Sequence, residues 1–105
     1  MGSFQLLSVV EMGPSRVKLV GELDVAGVPE VQECLARLDG DIEVDCSGLT
    51  FIDCSGLGLL IGAHHTCDAR GAKLLLVDPP ACMTRLLALT ELDALFHLQF
   101  AGSVS

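Results

Sequence analysis

Asp53, Cys54 and Ser55 place a carboxylate, a thiol and a hydroxyl in three consecutive positions, and they sit where the chain changes character. Before them, Leu49-Thr50-Phe51-Ile52 suits a pleated, half-buried strand end. After them, Leu57, Leu60 and Ile61 recur at helical spacing up to Gly62. Asp53 and Ser55 are both helix-capping types, so the stretch reads as strand end, turn and helix start. The first amides of such a helix have no intrahelical partner, and its dipole puts about half a positive charge there. An anion on Ser55 is therefore expected to be favoured, which makes Ser55 a candidate phosphorylation site.

Other chemistry is poorly supported. Ser55 lacks the Gly-x-Ser-x-Gly elbow of a hydrolase, and nothing in the sequence ties His64 or His65 to it. Gly56, Gly58 and Gly62 miss the dinucleotide spacing by one residue and precede no Lys-Ser/Thr pair, so no nucleotide cofactor is expected. Gly58 and Gly62, one helical turn apart, instead suggest a flat face for helix packing or for a partner's close approach. His64, His65, Cys67 and Asp68 are metal-capable types, but neighbouring helical positions cannot all face one ion. They read as solvated helix surface, and no metal is expected. Five cysteines, with no Cys-x-x-Cys pair, signal neither a disulfide framework nor a zinc site. Cys34, Cys46 and Cys82 fall on faces assigned to the core, and Cys54 on the presented turn.

The elements that must hold this turn are legible around it. Phe4–Glu11 and Arg16–Leu23 flank the turn residues Met12-Gly13-Pro14-Ser15 and predict a β-hairpin. Asp24 is a helix-capping type, and Val28, Val31, Leu35 and Leu38 then recur at helical spacing until Asp39-Gly40 stops the run. Ile42, Val44 and Cys46 alternate with Glu43 and Asp45 as a short strand leading into the turn. The helix from Ser55 is expected to reach about Ala69. Lys73–Val77 is a continuous apolar run of the kind found in a strand covered on both faces. Asp78-Pro79-Pro80 delays the next helix, whose apolar side is set by Met83, Leu86, Leu87 and Thr90 and continued by Leu92, Leu95 and Phe96. His97–Phe100 predicts a last edge strand, and residues 101–105 a frayed end. Strands alternating with helices after a hairpin give an α/β class, a mixed sheet with helices packed on it, in one domain over residues 1–105.

Half the 105 residues are hydrophobic, enough for a single core, and a soluble globule is expected. The longest apolar run, Leu57–Ala63, is about a third of the ~20 residues a membrane helix needs. The first residues lack a signal-peptide pattern, so a cytoplasmic location is expected. Fourteen acidic against six basic residues give a net charge of −8, which argues against nucleic acid or an anionic membrane as partner. A protein with a basic face fits better.

Gly21-Glu22-Leu23-Asp24, Asp45 with Phe51-Ile52-Asp53-Cys54-Ser55-Gly56-Leu57-Gly58, and Arg85-Leu86-Leu87-Ala88-Leu89-Thr90 together resemble the STAS domains of bacterial anti-sigma-factor antagonists. The resemblance spans nearly the whole chain in order. It implies a small α/β STAS-like domain, no catalysis of its own, and binding to an anti-sigma factor that is also a serine-protein kinase. Partner contact then involves Asp24, Asp53, Cys54, Ser55, Gly56, Leu57 and Gly58, with phosphorylation releasing the kinase. In phosphorylated members the acceptor is most often the hydroxyl residue directly after the Asp, a position held here by Cys54. Either Ser55 takes over as acceptor, or the protein is a permanently active binder. Two other classes stand beside it: a STAS accessory subunit on the ATPase of a lipid ABC transporter, which would use the same helix end, and a thiol redox sensor, which requires Cys54 to react. A monomer or weak dimer is expected.

Overall fold

The computed structural model describes residues 7–100. The chain runs β1 (Leu7–Gly13), β2 (Arg16–Leu23), α1 (Val28–Ala36), β3 (Ile42–Ile52), α2 (Cys54–Ala69), β4 (Leu74–Val77), α3 (Ala81–Leu89) and β5 (His97–Gln99). The strands form one mixed sheet in sequence order. β1 pairs antiparallel with β2, and every later pair is parallel. The predicted hairpin and the closing edge strand are both present. The expected start of the first strand at Phe4 and the frayed end at residues 101–105 lie outside the described residues.

One hydrophobic core joins the sheet to the three helices. It contains Leu19 and Leu23 from β2, Val44 and Cys46 from β3, Leu74 and Leu76 from β4, and Val31, Leu60, Met83 and Leu87 from the helices. Burying a side chain of this size contributes roughly 1.5–3 kcal/mol, so these residues fix how the helices sit on the sheet.

Two helix boundaries differ from the periodicity. Asp24 does not cap α1: its Oδ1 accepts the Ala26 amide at 3.0 Å in a tight turn, and Gly27 occupies the cap position without a side-chain bond. A carboxylate followed by Val-Ala-Gly satisfies its own local amide first. α3 ends at Leu89 instead of continuing through Phe96. Glu91 takes a left-handed φ of 58°, and the chain folds back so that Phe96 packs into the core from outside the helix.

β3 is a single eleven-residue strand where a short strand plus a separate extended stretch was expected. Against β2 it carries two irregularities, each adding one residue to β3, between the Lys18 and Val20 pairings and between the Gly21 and Glu22 pairings. Each bulge reverses which alternate side chains face the core. Val44 and Cys46 point inward, but beyond the bulges it is Leu49 and Ile52 that are buried, while Thr50 and Phe51 are exposed. Gly48 sits at the first bulge, where a Cβ would stand 2.8 Å from the Leu19 carbonyl oxygen.

Candidate functional site

The parallel pairing of β2 with β3 ends on Leu23 opposite Ile52. The residues that follow, Asp24 and Asp53, therefore emerge side by side at the carboxyl ends of two adjacent strands, where open α/β sheets commonly bind their ligands. The Asp53 amide donates to the Leu23 carbonyl at 3.3 Å and ties the two exits together. The sheet register thus brings Asp24 beside Asp53, 29 residues further on in sequence.

Asp53 is the N-cap of α2. Its backbone is extended, its carbonyl accepts the Leu57 amide at 3.0 Å, and its Oδ1 accepts the amides of Ser55 at 2.9 Å and Gly56 at 3.1 Å. Cys54 and Ser55 follow as the first and second helical residues, both exposed. Ser55 is therefore not a cap, and two of the amides expected to welcome an anion already serve the Asp53 carboxylate. A phosphate on Ser55 would stand beside that carboxylate, so the helix end is less hospitable to it than the bare dipole suggests.

Gly56 and Leu57 are buried, and Gly58 is exposed. At Gly56 a Cβ would lie 2.7 Å from both the Cγ and the carbonyl oxygen of Leu23 and 3.0 Å from an Ile52 side-chain carbon. Only glycine lets the helix start this close to the strand ends. At Gly58 and Gly62 a Cβ would meet nothing within 4 Å. Both glycines are exposed and line a cleft between α1 and α2. Glycine in a helix interior costs roughly 0.5–1 kcal/mol relative to alanine.

The surface of the turn thus consists of Asp24, Asp53, Cys54, Ser55 and Gly58, with Gly56 and Leu57 supporting it from beneath. Two exposed apolar side chains that sequence reasoning did not assign to the site flank it: Val25, 70% exposed, directly after Asp24, and Phe51, 44% exposed, two residues before Asp53. Val25 was detectable as an apolar residue inside a polar turn. Phe51 was not, because its face depends on the bulges.

The cysteines divide by burial. Cys54 is exposed, Cys34, Cys46 and Cys67 are buried, and Cys82 is half-buried. Burial pushes the Cys46 thiol up to about 12, which leaves almost no thiolate near neutral pH. Burial also raises the Cys34 thiol, as does its hydrogen bond to Glu11. Cys67 corrects the expectation of a solvated patch around His64: it is 1% exposed and belongs to the core, while His65 and Asp68 are exposed. The His64 ring packs edge-on to Phe96 with centroids 5.8 Å apart. Among the described residues no group of three or more metal-capable side chains converges.

Asp45 lies in the middle of β3, away from the turn. Burial would raise its carboxyl, but the Ser47 hydroxyl at 2.7 Å and amide at 2.9 Å, helped by Lys18 and Arg16, outweigh that and hold it below the usual carboxylate range. It accepts both Ser47 bonds where the register between β2 and β3 first shifts. No helix among the described residues is long and apolar enough to cross a membrane.

Comparison with known proteins agrees with this arrangement. A family model described as "Mlab, STAS domain" matches residues 10–99. Two curated relatives named anti-sigma-B factor antagonist, from Staphylococcus aureus (strain NCTC 8325 / PS 47) and Staphylococcus epidermidis, are 36% and 34% identical over 86 residues, which is 78% of this chain and 80% of each relative. Among solved structures, the anti-sigma factor antagonist SpoIIAA in its unphosphorylated form matches with a TM-score of 0.73 at 19% identity, covering 94% of this chain and 99% of that one. The phosphorylated form of SpoIIAA from Bacillus matches with a TM-score of 0.69 at 20% identity, covering 90% of each chain. At these identities the two structures speak for the fold.

Proposed function

The chain belongs to the STAS-domain family, among the anti-sigma-factor antagonists, and from that premise we propose that it is a partner-switching regulator of transcription that binds an anti-sigma factor through the turn at Asp53–Gly58. Domains of this family are regulatory and not enzymes, so Ser55 is read as a substrate for modification and not as a nucleophile. The observation that carries the proposal is the exposed Cys54-Ser55 pair on a rigidly capped helix start, within a chain whose curated relatives bear the antagonist name.

The partner is an anti-sigma factor with serine-kinase activity, and regulation runs through the same turn. A phosphate adds roughly −1.5 to −2 charges that a contact surface would have to desolvate, and beside Asp53 it would disturb the turn by like-charge repulsion. Cys54 stands where the acceptor hydroxyl is usual. A kinase holds one oxygen in line with the γ-phosphate, and a one-residue shift around a helix start moves the acceptor by several ångströms, at a cost of about 10²-fold in rate or more. Ser55 is accordingly a slow acceptor, and the unmodified, binding-competent form predominates.

The experiment is to mix the purified chain with the serine-kinase anti-sigma factor of the same organism, measure complex formation, and then add ATP and map phosphate by mass spectrometry. A stable complex, slow modification at Ser55 and rapid modification of Cys54→Ser are expected. Rapid modification of the native protein at Ser55 would mean that the acceptor register has moved by one residue. Failure to bind any anti-sigma factor, with binding instead to an ATP-binding-cassette subunit, would replace this reading with the transporter-subunit one.

A further inference from the structure

The two edges of the sheet differ. β5 offers three residues, whereas β1 offers seven and contains neither lysine nor proline, the residues that commonly guard an open edge. β1 pairs with β2 on one side. On the other, among the described residues, no strand meets the amides and carbonyls that alternate residues turn outward.

A cavity of about 370 Å³ lies beside that edge, lined by Val9 and Glu11 of β1, Glu30, Glu33 and Cys34 of α1, and Arg37 at the end of α1. Gln32, Leu35 and Ala36 face the cleft toward α2, so this cavity occupies the other side of α1. Three carboxylates and one guanidinium make it acidic. The guanidinium is already engaged, because Arg37 Nη2 donates to Glu11 Oε1 at 3.0 Å. Glu33 is exposed, and Glu30 Oε2 is buried with no hydrogen-bond partner among the described residues. An oxygen in that state is costly, and a charged donor arriving from outside would relieve it.

The two faces of β1 set different requirements on anything that pairs with it. Val9 and Glu11 lie on the cavity side. Val10 lies on the opposite face with Val20, which pairs with Ser8, and these two valines are 46% and 39% exposed.

We propose that the β1 edge receives an extended segment of a protein partner, which adds a strand to the sheet and places a lysine or arginine in the cavity between β1 and α1. Apolar side chains of that segment, at the alternate positions, lie over the face of Val10 and Val20. Backbone pairing supplies affinity, and the cavity supplies the choice of side chain. Charge selects this occupant over a second copy of the chain. β1 has no basic residue, and its one charged side chain, Glu11, would bring a fourth carboxylate to a cavity that already holds three. The net charge of −8 likewise repels a copy and attracts a basic segment. The site shares no residue with the Asp53–Gly58 turn and stands apart from what that turn binds.

The test uses the whole chain and two end-capped synthetic peptides, one alternating valine with lysine and one alternating valine with glutamate. Amide exchange followed by NMR should show β1 amides gaining protection with the lysine peptide. Anisotropy of labelled peptides should show the lysine peptide binding at least about tenfold more tightly than the glutamate peptide. Glu30→Gln/Glu33→Gln should keep the melting temperature and weaken the lysine peptide about tenfold. Asp68→Asn/Glu91→Gln removes the same charge from exposed positions outside the cavity and should change binding by less than about twofold. Should the Glu30 change disturb folding, Glu33→Lys alone, at an exposed position, should weaken the lysine peptide as much. No binding of the lysine peptide, binding that leaves β1 unprotected, or equal weakening by the two charge-matched pairs overturns the proposal. Protection of β1 that appears without peptide as protein concentration rises would give the edge to a second copy and overturn it too.

Discussion

On one side of α2, Gly56 lets the helix press against Leu23 and Ile52, and Leu57, Leu60 and Cys67 continue into the core. Cys54, Gly58, Gly62 and Thr66 are instead exposed, and a Cβ at either of these two glycines would meet nothing within 4 Å. The same residue type therefore has opposite meanings two positions apart in one helix. Inward glycine is a packing requirement of this fold, and outward glycine is a helix-weakening choice that packing within the described chain does not repay. The difference separates what keeps the domain folded from what it offers to other molecules.

The widest test of that contrast uses the two cysteines of α2. Cys54 faces out and Cys67 is buried, so brief alkylation of the native protein should modify Cys54 about 10³-fold faster, since Cys67 reacts only through opening of the structure. Cys34 and Cys46 should be protected likewise, and half-buried Cys82 should fall in between. Mass spectrometry over a time course reads the ratio, and comparable rates at positions 54 and 67 would dissolve the distinction between the two sides.

Next in size is Gly56→Ala. A Cβ 2.7 Å from the Leu23 carbonyl oxygen must displace backbone, and overpacking of this kind costs about 3 kcal/mol. Urea denaturation should show a markedly lower midpoint with an unchanged slope. A neutral Gly56→Ala would mean that the helix start is not seated on the strand ends.

Asp53→Ala removes the acceptor for two amides and should cost about 1 kcal/mol by the same measurement, with Asp53→Asn recovering most of it. The smallest expected effect has the opposite sign. Gly58→Ala and Gly62→Ala should each stabilise the protein by about 0.5–1 kcal/mol, because alanine suits the helix better and meets no neighbour. Destabilisation at either position would place an unseen packing partner on the outward side.

Much of this molecule could be read without its structure. The order of strands and helices, the hairpin, the mixed sheet and the cap at Asp53 all follow from local rules: turn residues, apolar spacing, and side chains that bond amides two or three residues away. Such signals lie within one turn of helix or one strand, and the chain carries them in its sequence. The resemblance carried by the Asp53–Gly58 segment likewise needed only the order of residues.

Which way side chains face was decided elsewhere. Phe51 is outside and Ile52 inside because β3 carries two extra residues against β2, and a bulge is defined by the partner strand. Cys67 is buried because α2 lies against the sheet, although His64, His65 and Asp68 around it suggested a wet surface. Asp24 reaches the turn only through the pairing of Leu23 with Ile52. Gly56, Gly58 and Gly62 are identical as letters, and only the positions of Leu23 and α1 distinguish a required glycine from a permissive one. Local propensity sets what each segment becomes, whereas facing and proximity are properties of pairs of segments brought together by the fold.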